Sequence, residues 1–130
     1  MFFGLRTDSP VAELYLYSPT GELVGKYSWE AGRNLARDLL KRIDAFWARN
    51  GVSDEQILGY FAYKGPGSFT GLRIGITVIN TLAHASGSPV ASGEGENWQK
   101  LAIESLKQGV DEQIILPAYG SPARITQARK

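Results

Sequence analysis

The chain has no cysteine among its 130 residues. That excludes disulfide staples, thiolate nucleophiles and cysteine-ligated zinc, and it fits a reducing compartment. Histidine is nearly absent too. The one copy, His84, falls near the end of a helical pattern, where a half-exposed helix-terminal role is the default and catalysis is disfavoured. Excess charge of either sign is missing: 14 Lys+Arg against 13 Asp+Glu leave a net charge of +1, too thin a field for a chain that binds nucleic acid by itself. No apolar run reaches membrane-spanning length, and the opening M-F-F-G-L-R-T-D carries no basic leader and meets Asp8 at once, so the expectation is a soluble, cytoplasmic protein with no membrane contact. The 43% of hydrophobic residues suffice for a core without staples, in one small domain.

What is present concentrates at residues 65–75, G-P-G-S-F-T-G-L-R-I-G, directly after the apolar run Tyr60-Phe61-Ala62-Tyr63. Pro66 fixes one backbone angle while Gly65 and Gly67 permit tight turning, so a strand can stop and reverse into a helix that starts near Ser68. The N–H groups at that start, with Gly65, Gly67, Ser68 and Thr70, form a candidate anion site. The loop is neither a Walker loop nor the G-x-G-x-x-G dinucleotide pattern, because no Gly-Lys-Ser/Thr follows and the glycine spacing differs. Two readings stay open, a turn chosen for packing and a loop that touches a ligand.

The flanking pattern predicts a mixed α/β class. Residues 2–6, 11–18 and 22–29 read as an antiparallel three-stranded meander, with period-two alternation in the second strand and a Pro-Thr-Gly turn after it. Residues 32–50 switch to helical period: Leu35, Leu39, Ile43 and Phe46 form a stripe that Leu40 and Trp47 widen, and Gly51 ends it. A buried strand over 57–64, a helix over 68–86, a short strand near Val90 and a helix over 97–106 follow. Ile114-Ile115-Leu116 reads as one more strand, and residues 118–130 as a tail or strap.

The 68–86 helix has two distinct lines. Leu72, Ile76, Ile79 and Ala83 are apolar, whereas Arg73, Thr77, Asn80 and His84 are polar. Gly71 and Gly75 cost roughly 0.5–1 kcal/mol each relative to alanine, which predicts a close approach of a second helix, from another subunit, against this ridge. The expected partner interface is Leu35, Leu39, Gly71, Leu72, Arg73, Gly75, Ile76 and Ile79. The competing account is an ordinary solvated face. Catalytic residues are expected to be none: Ser68 has no evident histidine base, Asp8 stands without a second carboxylate for a metal, and Asp8 with Ser9 reads as a turn. No metal and no cofactor are expected.

Residues 65–75 resemble the signature of the TsaB (YeaZ) family, a tRNA threonylcarbamoyladenosine biosynthesis subunit of the Gcp-like, glycoprotease-like superfamily. Thr7 and Ser9 after the first strand, Leu39-Leu40, the return Gly87-Ser88-Pro89-Val90 and the closing P-A-Y-G-S-P-A-R-I-T-Q-A-R-K accompany it in order. The resemblance implies an actin-like ATPase or RNase-H-like subdomain over residues 1–92, a meander followed by αβαβ. Residues 93–130 are then the remnant of a second subdomain: helix, short strand and tail. It implies a non-catalytic scaffold subunit that pairs with a TsaD-like catalytic subunit through the two long helices in threonylcarbamoylation of adenosine 37 of tRNA (t6A formation). A TsaE-like ATPase is a further partner, the chain alone is a homodimer, and tRNA is reached only through the complex. Arg6 stands where the family's first strand has aspartate, and Leu35-Ala36-Arg37 replace a usual His-Ser-Glu. Both changes point away from nucleotide and magnesium binding. The alternatives are a small phosphate- or nucleotide-binding enzyme using Ser68, Thr70 and the turn amides, and a standalone homodimeric interaction protein.

Overall fold

A computed structural model describes residues 1–118. Five strands form one mixed sheet in the order β3-β2-β1-β4-β5: β1 is Phe2–Arg6, β2 Val11–Tyr17, β3 Leu23–Glu30, β4 Gly59–Gly65 and β5 Val90–Glu94. The first three are antiparallel neighbours, and β1–β4 and β4–β5 are parallel. Parallel neighbours need crossovers. Two helices supply them, α1 over Leu35–Arg49 and α2 over Phe69–Ser86.

Alternation along the strands splits the aromatic core between the two faces of the sheet. Phe3 points to the α1 face, with ring centroids 5.3 Å from Trp47, 6.3 Å from Phe46 and 6.3 Å from Tyr60. Tyr15, Phe61 and Tyr63 point to the opposite face and meet Trp98 at 5.5, 5.9 and 5.6 Å. Trp98 opens α3, Trp98–Lys107, so that short helix covers the second face. Residues on both faces join one buried cluster.

In α1 the stripe Leu35, Leu39, Ile43, Phe46 and Trp47 is buried as its spacing predicts. Leu40, expected to widen it, is exposed instead, because the sheet below takes only one side of the helix. The helix proper begins at Leu35, after a 3-10 turn at Gly32–Asn34. It ends where the Asn50 side chain donates to the Phe46 carbonyl at 2.8 Å, and Gly51 follows with φ of 68°, the left-handed geometry that glycine adopts without steric cost.

The strand expected at Ile114–Leu116 does not form. Residues 111–118 are an irregular strap along the β5 edge, held largely by side chains. Asp111 accepts from Val90 N–H at 3.1 Å, Glu112 accepts from Ser92 N–H at 2.7 Å, and Glu112 N–H donates to the Val90 carbonyl at 2.8 Å. The Asn80 side-chain amide both donates to and accepts from the Ile115 backbone, at 3.0 and 2.9 Å. This two-point clamp does the work of a strand partner, and Ile115 is driven into the core. Ala118 N–H then donates to Lys64. The expected tail beyond Ala118, with Arg124, Arg129 and Lys130, lies outside the described residues.

Asn80→Ala removes both clamp bonds and leaves two buried main-chain groups of Ile115 unpaired, at a cost of about 1–3 kcal/mol. The measurement is urea denaturation, together with faster amide exchange at Ile115 and Glu112 than at the β1 amides.

Candidate functional site

The glycine-rich loop is bound to the end of the first strand. Gly65 closes β4 with φ of 126°, a conformation open to glycine. Tyr63 donates its hydroxyl to the Pro66 carbonyl at 2.6 Å. Ser68 N–H donates to the Asp8 carbonyl at 3.3 Å, and the buried Thr7 hydroxyl donates to the Gly71 carbonyl at 2.7 Å. The turn after β1 therefore sits against the first turn of α2. A side chain at Gly67 would strike the Asp8 side chain, so Gly67 is required by this contact.

Close approach is also what Gly71 and Gly75 provide, though not to another protein. A Cβ at Gly71 would run into the Thr7 carbonyl oxygen, and one at Gly75 into the Thr7 hydroxyl and Leu5. The ridge expected to admit a second subunit is filled by this chain's own β1. The spacing revealed that something comes near, and the something is Thr7. The same correction applies to Leu35, Leu39, Leu72, Ile76 and Ile79, which are all buried in the chain's own core. Of the expected interface residues only Arg73 is exposed.

A different part of the two helices remains open. Ala36, Thr70, Arg73, Ile74, Thr77 and Val78 line a groove of about 450 Å³, in which Arg73 and Thr77 are exposed while Ile74 and Val78 are half-buried. The sequence signal for it is the offset by one and two positions from the buried line of Leu72 and Ile76. A smaller cavity of about 250 Å³ lies between Arg33, Ser9, Ser68 and Thr70, at the start of α2.

Arg6, in the position noted above, folds over the end of the sheet. Its guanidinium stacks 3.8 Å from the Tyr63 ring centroid and bonds Asp8 at 2.7 and 3.3 Å. The Asp8 carboxylate holds the Arg6 charge firmly, raising its pKa. Asp8 is thereby engaged by an internal cation. His84 is exposed on α2, one turn beyond the Asn80 clamp. Among the described residues no group of three or more His, Asp or Glu side chains is placed to hold a metal ion, and no helix is long and apolar enough to cross a membrane.

The family model described as "TsaD: tRNA N6-adenosine threonylcarbamoyltransferase" matches residues 28–92, half of the chain. The chain belongs to this family. No curated protein matches it. Among solved structures, YeaZ from Pseudomonas aeruginosa is similar at 28% identity and a TM-score of 0.62, covering 68% of this chain and 41% of that one. A second structure, described as an uncharacterized protein with similarity to peptidase YeaZ from Pseudomonas aeruginosa, gives 28% identity and a TM-score of 0.63, over 68% and 40%. The Lmo2764 protein from Listeria monocytogenes, at 17% identity, a TM-score of 0.51 and coverage of 74% and 35%, shares the fold alone. The chain thus spans about two-fifths of the length of the YeaZ structures it matches. Its mixed sheet with flanking helices agrees with theirs.

Two expectations follow from the site. Gly71→Val forces a side chain into the Thr7 main chain and lowers unfolding stability by about 2–3 kcal/mol; denaturant titration measures it, and a partner-only role for Gly71 would leave stability unchanged. The second concerns pH. Burial raises the hydroxyl pKa of Tyr15, Tyr17, Tyr60 and Tyr63 above the ordinary 10.0, and at Tyr15 the bond to Glu13 adds to it. The folded state holds these protons more tightly, so their contribution is complete below pH 10 and is lost as pH rises above it. Melting temperature against pH, followed with tyrosinate absorbance, should show stability falling above pH 10 and native tyrosines ionising later than those of the unfolded chain.

Proposed function

We propose that the chain is a TsaB-like, non-catalytic scaffold subunit that pairs with a TsaD-like enzyme in t6A formation on tRNA. The observation that carries this reading is the open α1–α2 groove, with Ile74 and Val78 half-buried between exposed Arg73 and Thr77, on a chain whose sheet and helices match YeaZ. An apolar strip with a polar margin has the anatomy of a protein–protein contact. The two helices named at the outset remain the pairing elements, with contact residues moved outward from the buried stripe to the groove. A TsaE-like ATPase joins the assembly, tRNA is reached only through it, and the complex works in the cytoplasm.

The same reading makes residues 1–92 an actin-like subdomain and assigns 93–130 to a second one. The described part of the latter, α3 and the strap, is folded back onto the single sheet. The non-catalytic role draws support from Arg6, which occupies Asp8 and covers Tyr63 at the strand ends, where the turn amide of Ser68 is already used by the Asp8 carbonyl. This disfavours the phosphate-binding enzyme, whose loop amides would need to be free. Calorimetry with ATP and magnesium should register no heat of binding.

The direct test mixes the chain with a TsaD-like enzyme and follows the complex by size-exclusion chromatography with light scattering. Ile74→Asp buries a charge in the groove, and a loss of at least about tenfold in affinity, some 1.4 kcal/mol, is expected with unchanged circular dichroism. Expression should restore t6A in cells depleted of their own TsaB. Absence of any complex overturns the proposal.

A further inference from the structure

The two edges of the sheet are treated differently. The β5 edge is covered by the strap, with Asp111 and Glu112 bonded to the main chain of Val90 and Ser92. The opposite edge is β3, paired only with β2, and no described residue hydrogen-bonds its outer side. An eight-residue strand with an open row of N–H and C=O groups is a template for another strand.

The register shows which groups point outward. Ala31 N–H donates to the Pro10 carbonyl at 2.8 Å, so residue 31 faces the β2 side. By alternation Trp29 and Tyr27 do the same, and Lys26, Ser28 and Glu30 direct their main-chain groups away from the sheet. Their side chains share one face and all three are exposed.

We infer that β3 is a self-association surface on which a second copy of this chain pairs antiparallel, β3 to β3, about a two-fold axis through Ser28. Charge selects the occupant and the register. With the axis at Ser28, Lys26 lies opposite Glu30 of the second copy, and Glu30 opposite its Lys26, both in hydrogen-bonded pairs. An axis at Lys26 or at Glu30 places like charges face to face, and axes at Tyr27 or Trp29 pair no opposite charges. Cross-strand pairs of opposite charge stabilise a ladder, and like charges oppose it. On the other face the same register sets Tyr27 across from Trp29. The competing account is that Lys26, 5.6 Å over the Tyr15 ring, is a lysine that guards the edge; a guard needs no matching Glu30. This surface lies on a different part of the molecule from the α1–α2 groove and does not depend on pairing with TsaD.

Sedimentation velocity of the full chain over a range of concentrations should show a monomer–dimer equilibrium. Lys26→Glu and Glu30→Lys should each shift it to monomer, because each homodimer then sets two like-charge pairs. An equimolar mixture of the two variants should restore the dimer, since every facing pair is again opposite in charge. The chain has no thiol of its own, and a hydrogen-bonded antiparallel pair holds its Cα atoms about 5.5 Å apart, within disulfide range. Mild oxidation of Ser28→Cys should therefore give a linked dimer faster than oxidation of the exposed control Ser53→Cys. A wild-type chain that is monomeric at every concentration overturns the inference. So does cross-linking of Ser28→Cys no faster than the control, or a dimer that survives Lys26→Glu but is lost in Ile74→Asp.

Discussion

One hydrogen bond, from the Thr7 hydroxyl to the Gly71 carbonyl, marks the contact on which the arrangement depends. It exists because α2 comes so near β1 that neither Gly71 nor Gly75 has room for a side chain. Shift α2 outward by the width of a methyl group and three things are lost together. Leu72, Ile76 and Ile79 lift off the sheet, Ser68 leaves the Asp8 carbonyl, and Asn80 moves away from Ile115. The intrinsic cost of two helical glycines is offset by these contacts, and densely packed interiors tolerate no partial version of them.

That contact also explains the shape of the remaining surface. Because the glycine ridge is turned inward, the residues two and three positions further on, Arg73, Ile74, Thr77 and Val78, are what α2 offers beside α1. Arg6 and Asp8 stand at the same junction, and their pairing with each other and with Tyr63 closes the strand ends from within. A chain with an internal cation over its strand ends is equipped to hold a shape. It is less equipped to close on an anionic cofactor, whose charges would have to compete with Asp8 for Arg6.

Much of the fold is legible in the sequence because periodicity and punctuation agree. All five strands, both long helices, α3 and their glycine or proline boundaries follow from hydrophobic runs and alternation, a 3.6-residue stripe and turn chemistry. The misreadings have physical causes. Glycines four apart say that a backbone or side chain comes close, and they do not say whose; Thr7 is 64 residues away in sequence from Gly71, so no local pattern joins them. Ile114-Ile115-Leu116 has strand composition, yet its partner is the side-chain amide of Asn80 and not a strand. Leu40 joins the stripe by hydropathy and is nonetheless exposed, because hydropathy cannot tell which flank of a helix the sheet reaches. The turn function of Gly65 and Gly67 was readable from the loop, whereas the role of Gly67 in making room for Asp8 required the tertiary contact.

The asymmetry of the sheet edges follows from the same economy. A five-stranded sheet has two edges to manage, and the described chain after α3 covers one. Starting from α3, beside β4 and β5, it reaches β5 and Lys64 and ties itself there with two carboxylates and an amide. β3 lies three strands away from β4, roughly 14 Å at about 4.8 Å per strand, so the described chain leaves its outer groups free. Lys26, Ser28 and Glu30 give that free edge a charge order that reads the same from both copies when one is turned about Ser28. A guarding role accounts for the lysine alone; the two-fold match accounts for the lysine, the glutamate and their spacing about one serine.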